Sequence, residues 1–188
     1  MGSTDDIKKG AVIRKDGNLF VVTDFSFVNP GKGSAFYKTK IKDINAGKTI
    51  EITYKSGETI DIVEVNRQTL QFLYAGEDRY SFMNKDTYES LEVDADIVGD
   101  DGKYLKEGLD VISVLHEGRI VAVELPKKIQ YTVTQSPPAV KGDTASGNVT
   151  KDVELDNGLT VKAPIFIKEG DEILVNIESG DYAGRVNE

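Results

Sequence analysis

Short apolar or alternating runs, each too brief for a helix of ordinary length, recur along the whole chain and limit its fold more than any other feature. The runs 19–22, 49–54, 69–74, 111–115, 120–123 and 173–177 are rich in β-branched residues and are separated by Gly, Asp and Asn. Such spacing predicts small β-barrels or sandwiches, with a sheet face alternating along each strand. One segment departs from this pattern. Asn84 to Leu91 offers Asp86 as an N-cap with Glu89 three residues on, which predicts a short helix. Candidate boundaries fall after the 60–63 run and at Pro126-Lys127-Lys128, giving units 1–65, 66–128 and 129–188. No short internal repeat argues for a propeller or solenoid. Five-stranded barrels of the oligonucleotide-binding (OB) class suit units of about 60 residues.

A hydrophobic content of 39% over 188 residues supports packed cores. No run of about 18 apolar residues predicts a transmembrane helix, and the polar, acidic start predicts no signal peptide. Cysteine is absent, which excludes disulfides and thiolate metal sites and predicts a cytoplasmic protein. The single histidine, His116, reads as an exposed turn residue, so triad chemistry has little to draw on. Neither G-x-x-x-x-G-K-[ST] nor G-x-G-x-x-G occurs. The acidic cluster around Asp96 to Glu107 fails the EF-hand spacing at Val98 and Asp101, so no metal site is expected. These absences predict that the chain is not an enzyme.

A net charge of −9 speaks against nucleic acid until its distribution is considered. The first unit carries ten basic and nine acidic residues, the second eight and thirteen, the third five and ten. Within the first, Val28 to Lys42 holds Lys32, Lys38, Lys40 and Lys42 and no acid. In that stretch Asn29-Pro30-Gly31-Lys32 predicts a type II turn, with Pro30 setting φ and Gly31 supplying a positive φ. Gly33 keeps the exit permissive. Lys32 would then sit at a hairpin tip. Period two puts Lys38, Lys40 and Lys42 on one strand face and Tyr37, Thr39 and Ile41 on the other. The plain alternative is a solvated hairpin whose lysines keep an edge strand soluble.

The run Val28-Asn29-Pro30-Gly31-Lys32-Gly33-Ser34-Ala35-Phe36 resembles the signature tip of the bacterial elongation factor P family. Further segments resemble the family in register: Lys55-Ser56-Gly57-Glu58, Tyr80-Ser81-Phe82-Met83-Asn84, Val140-Lys141-Gly142-Asp143-Thr144-Ala145, Val161-Lys162-Ala163-Pro164-Ile165-Phe166-Ile167, and Ser179 to Val186. The resemblance implies a mainly β, elongated, tRNA-like protein: an SH3-like (KOW-type) barrel over 1–65, then OB-fold barrels over 66–128 and 129–188. It implies a monomeric, cytoplasmic factor, with no membrane association, that binds the ribosome beside peptidyl-tRNA and rRNA. There it relieves stalling at consecutive prolines.

By position in the resemblance, Lys32 is the functional tip and the site of a covalent modification by a lysine-modifying enzyme, with no other cofactor. Pro30, Gly31 and Gly33 form its loop. Lys38, Lys40 and Lys42 become candidate RNA contacts. Tyr182 and Arg185 match family positions that contact tRNA, with barrel closure as their plain alternative, and Gly99 and Asp100 match a loop that faces the exit-site codon. The physical sense of such a factor is orientation: proline's ring fixes φ and aligns donor and acceptor poorly, and placing the tRNA end restores geometry. An elongation factor P-like paralogue, or an acidic β-barrel that binds protein, are the competing readings. Asn148-Val149-Thr150 is expected to be a silent sequon, and Pro137-Pro138 to mark entry to the third unit.

Overall fold

A computed structural model describes residues 2–138 and 149–186. The Lys141-Gly142-Asp143-Thr144 segment and Asn148 of the sequon lie outside the described residues. Strands dominate, as the run spacing predicts. Three antiparallel sheets of five strands, with one two-stranded pair, make up the fold.

The first sheet comes from strands β1 (Gly2–Ser3), β2 (Val12–Lys15), β3 (Asn18–Val28), β4 (Phe36–Asp43), β5 (Thr49–Lys55), β6 (Thr59–Ile60) and β7 (Ile62–Val63). Five of these form one sheet in the order β5-β4-β3-β2-β7, and β1 pairs with β6. Ile13, Phe20, Val22, Ile41, Tyr54 and Ile60 fill its interior. A bulge between Val22 and Asp24 adds one residue to β3, so the face that carries Phe20 and Val22 at even positions continues with Phe25 and Phe27 at odd ones. Val22, Phe25 and Phe27 therefore stand opposite Ile41, Thr39 and Tyr37 on one face of the arm.

The second sheet contains β8 (Asn66–Ala75), β9 (Arg79–Asn84), β10 (Ser90–Asp94), β11 (Asp110–His116) and β12 (Arg119–Glu124). Its strand order is β10-β9-β8-β11-β12. Between β10 and β11 lie a short helix, α1 (Ala95–Val98), and a 3-10 turn over Gly99–Tyr104. The helix expected over 84–91 does not form. Asn84 caps a tight turn instead: its Oδ1 accepts from the Asp86 and Thr87 N–H groups, and its carbonyl accepts from Tyr88 N. An Asx side chain offers the backbone a turn in place of a helix, and here it links β9 to β10.

The third sheet, β13 (Lys128–Gln135), β14 (Thr150–Leu155), β15 (Thr160–Pro164), β16 (Glu172–Asn176) and β17 (Asp181–Arg185), has the order β15-β14-β13-β16-β17. The second and third sheets thus share one topology, in which a central strand pairs on one side with its successor and on the other with a later strand.

Joints between successive units are packed. Val12 and Val21 of the first unit share a buried cluster with Val114, Val121 and Ala122 of the second. Gly10 takes φ +81°, and a Cβ there would lie 1.8 Å from Glu124 Oε1. His116 belongs to this joint rather than to solvent. It ends β11, its side chain is only 14% exposed, and Nδ1 lies 3.3 Å from the Glu64 carbonyl oxygen. The turn proper is Glu117-Gly118, with positive φ at both residues as a two-residue hairpin turn requires. At the next joint Tyr104 enters the third core, and Tyr131 donates its hydroxyl to the Tyr104 carbonyl. Asn157 Nδ2 donates to the Lys103 and Leu105 carbonyls at 3.0 and 3.3 Å. Burial, first of all, pushes the Tyr131 phenol well above its ordinary value, with Asp156 adding to the effect.

Candidate functional site

The β3–β4 hairpin carries the candidate site. Its last rung pairs Val28 with Phe36, leaving 29–35 as the loop. Gly31, Lys32, Gly33 and Ser34 are exposed, and Pro30 is half-buried. The predicted type II turn is not present: positive φ falls on Gly33, at 109°, and not on Gly31. A loop of this length spreads the reversal over several residues, so a four-residue turn is not needed to close the hairpin. Ser56 N donates to the Ala35 carbonyl at 2.9 Å and fixes the loop's base from outside the hairpin. Lys32 makes no hydrogen bond or ion pair with any described residue.

Along β4 the predicted alternation is present. Thr39 and Ile41 are fully buried and Tyr37 half-buried, while Lys38 and Lys40 are exposed and Lys42 half-buried. The stripe is free of acid in sequence but not in space. Lys40 lies between Asp24 on β3 and Glu51 on β5, with Asp24 Oδ2 at 3.8 Å. The Lys42 ammonium donates to the Asp96 carbonyl in α1 of the second unit. Lys38 faces Ser26 and Thr53 and keeps its charge uncompensated among the described residues.

The remaining residues are dispersed. Tyr182 pairs with Val175 and packs half-buried on the third core, which is the closure role weighed against RNA contact. Arg185 Nη2 lies 2.8 Å from Asp171 Oδ1, with 53% of the arginine side chain still exposed. Gly99, at φ +66°, opens the 3-10 turn, and Asp100 is exposed beside it. Both line a cleft of about 910 Å³ between the first two units, which Lys40 and Lys42 also face. Lys9 closes one side of it on Asp101 at 3.0 Å. Lys40, Lys42 and the 99–100 turn thus share one cleft, whereas Tyr182 and Arg185 sit on the last strand of the third sheet.

Some features of the hairpin have no sequence signal. Tyr37 donates its hydroxyl to Asp5 Oδ1 at 3.1 Å, and its ring packs on Phe27 at 4.9 Å between centroids. Partial burial, then the hydrogen bond and charge of Asp5, raise the Tyr37 phenol above its ordinary value. The alternation of Phe25 and Phe27 is visible in the chain, but their exposure, 39% and 51%, is not.

Family models match almost end to end: the Elongation factor P KOW-like domain over residues 3–60, the Elongation factor P OB domain over 65–123, and the Elongation factor P C-terminal domain over 129–185. Elongation factor P of Acidothermus cellulolyticus is 37% identical over 187 residues, covering all of both chains. The chain belongs to the elongation factor P family. It is accordingly a translation elongation factor built of a KOW-like β-unit and OB-type units. Among solved structures, the eukaryotic translation initiation factor 5A from Methanococcus jannaschii matches 64% of this chain and 93% of its own, at 23% identity and a TM-score of 0.36. A translation initiation factor 5A family protein from Naegleria fowleri matches 65% and 96%, at 20% identity and a TM-score of 0.33. No helix among the described residues is long and apolar enough to cross a membrane.

Proposed function

We propose that this factor binds the ribosome beside peptidyl-tRNA and stimulates peptide-bond formation at consecutive prolines, with Lys32 reaching the acceptor end at the peptidyl transferase centre. The observation that carries this reading is Lys32 itself. It stands exposed on a narrow loop, flanked by two glycines and free of any partner among the described residues. A cation held by no carboxylate is available to oxygen acceptors elsewhere, and a loop without bulky neighbours enters a confined space. The ribosome supplies the chemistry, and the factor contributes orientation.

Within this reading Lys32 is also the site of a covalent extension, and the factor needs no other cofactor. Intact mass of the protein from its native host reads that extension directly. Lys38, Lys40 and Lys42 contact RNA backbone, and Arg185 reaches tRNA by leaving Asp171, with Tyr182 beside it. Gly99 and Asp100 face the exit-site codon. Residues 1–65, 66–128 and 129–188 act as three barrels in an elongated, tRNA-like row. Small-angle scattering should return an extended particle, and a profile fitting a compact sphere of this mass would contradict the row.

The deciding experiment is synthesis through a polyproline stretch with wild type and Lys32→Ala at equal folded concentration. Loss of stimulation with unchanged folding is expected, since an exposed loop lysine costs within about 0.5 kcal/mol to truncate. Equal stimulation by the two proteins would leave Lys32 as a solubility lysine.

A further inference from the structure

The arm that carries Lys32 is supported unevenly. β2 pairs with β3 only over Asn18 to Val21, so Asp24 to Val28 form a sheet edge bonded on the β4 side alone. A sheet edge of this kind bends and twists more readily than a strand paired on both sides. Small rotations at the base of the arm become larger displacements at loop 29–35.

Beyond the β4–β5 pairing and the Ser56 N–Ala35 hydrogen bond, a side-chain contact opposes that freedom. Tyr37 lies on the rung next to the last, facing Phe27 across β3 and Tyr54 across β5. Its hydroxyl reaches Asp5, on the 3-10 turn Thr4–Asp6 near the start of the chain. That turn is well anchored. Thr4 is fully buried; its N–H donates to the Glu58 carbonyl at 3.1 Å, and its Oγ1 accepts from Gly57 N at 2.8 Å. Ser3 and Asp6 close a capping box around it. β1 pairs with β6 on the turn's other side.

We propose that Tyr37 is a positioning residue for the tip: its hydrogen bond to Asp5 and its packing on Phe27 tie the arm to this anchored turn and fix where Lys32 is presented. The proposal rests on the function assigned above to Lys32. It adds to that function a pair, Asp5 and Tyr37, that touches no RNA and acts only through the direction of the arm.

The test is the rate of peptide-bond formation on a proline-proline template, titrated with factor, for wild type, Tyr37→Phe, Asp5→Ala, Asp5→Asn and Lys32→Ala. Tyr37→Phe keeps the ring and removes only the donor. Asp5→Asn keeps an acceptor oxygen. Tyr37→Phe and Asp5→Ala should each lower the rate at saturating factor by about three- to tenfold, with the half-saturating concentration unchanged. A variant carrying both Tyr37→Phe and Asp5→Ala should be no slower than either single one, because both remove one interaction. Asp5→Asn should restore most of the rate. A wild-type saturating rate in Tyr37→Phe, a loss confined to the half-saturating concentration, additive losses, or an Asp5→Asn as slow as Asp5→Ala would each overturn the proposal. Lys32→Ala separates the two levels. Full stimulation without Lys32 sinks the tip's function and this inference with it, whereas loss with Lys32→Ala but not with Tyr37→Phe sinks the positioning role alone.

Discussion

Lys32 and Lys42 stand ten residues apart on one hairpin, yet they occupy opposite kinds of surface. Lys32 sits exposed on the loop and makes no hydrogen bond or ion pair with a described residue, while Lys42 is half-buried and donates to the Asp96 carbonyl of the next unit. Two glycines, one at the tip and one at the joint, differ in the same way. A Cβ at Gly31 would meet nothing within 4 Å, whereas one at Gly10 would collide with Glu124 across the joint. The hairpin therefore has a free end and a fixed end. The role proposed for Lys32 needs the first to be unoccupied and the second to be rigid, because a tip can be aimed only from a base that does not move.

The sharpest way to break this contrast is at the glycines. Gly10→Ala should destabilise the protein by about 1–2 kcal/mol, since it forces a side chain into the left-handed region and displaces Glu124 from Arg67, 3.3 Å away. Gly31→Ala should stay within about 0.5 kcal/mol, having neither positive φ nor a neighbour. Urea unfolding of the two variants in parallel measures both, and similar losses would remove the distinction between tip and joint.

A somewhat smaller effect is expected at the other joint. Tyr131→Phe leaves the Tyr104 carbonyl without its donor and should cost about 1 kcal/mol at neutral pH. The pH dependence has a definite sign. Because the folded protein holds the Tyr131 proton more tightly than the unfolded chain, whose phenols release near pH 10, stability is full below about pH 10. It then falls as pH rises further. Tyr131→Phe should show a shallower alkaline decline than wild type in thermal melts taken from pH 9 to 11, and equal slopes would count against the assignment.

The smallest effect separates the lysines of the stripe. Among the described residues Lys38 has no ion-pair partner and faces Ser26 and Thr53, whereas Lys40 and Lys42 are already engaged. Lys38→Ala should lower the salt dependence of ribosome binding by about one phosphate equivalent, with Lys42→Ala lowering it less. Binding measured across a salt series reads this ordering, and a steeper loss for Lys42→Ala would reverse it.

Much of the molecule is legible in the chain because strand signals are local. β-branched runs, their spacing and the period-two alternation of β4 depend on neighbours a few residues away, and they appear in the structure as read. The errors share a cause too. At 84–91 the helix signal lost to the Asn84 side chain, which captured two backbone N–H groups for a turn. At the tip, Pro-Gly matched a four-residue turn, but the rung at Val28 and Phe36 left a longer loop with its positive φ on Gly33. His116 looked exposed because its partner, the Glu64 carbonyl, lies 52 residues away in sequence.

The sequence by itself determined that the chain is mainly β, that its basic residues concentrate in one hairpin, and that a lysine between two glycines lies at the end of it. Only the tertiary structure decided which two of the four lysines, Lys40 and Lys42, are engaged and what ties the arm to the start of the chain. Asp24 and Glu51 reach Lys40 through strand register, the Asp96 carbonyl reaches Lys42 through the packing of the second unit, and Asp5 reaches Tyr37 from the turn near the start of the chain. The physical reason is that side-chain alternation is fixed by the local backbone, whereas the charge and hydrogen-bond partners around a side chain are brought there by segments distant in sequence.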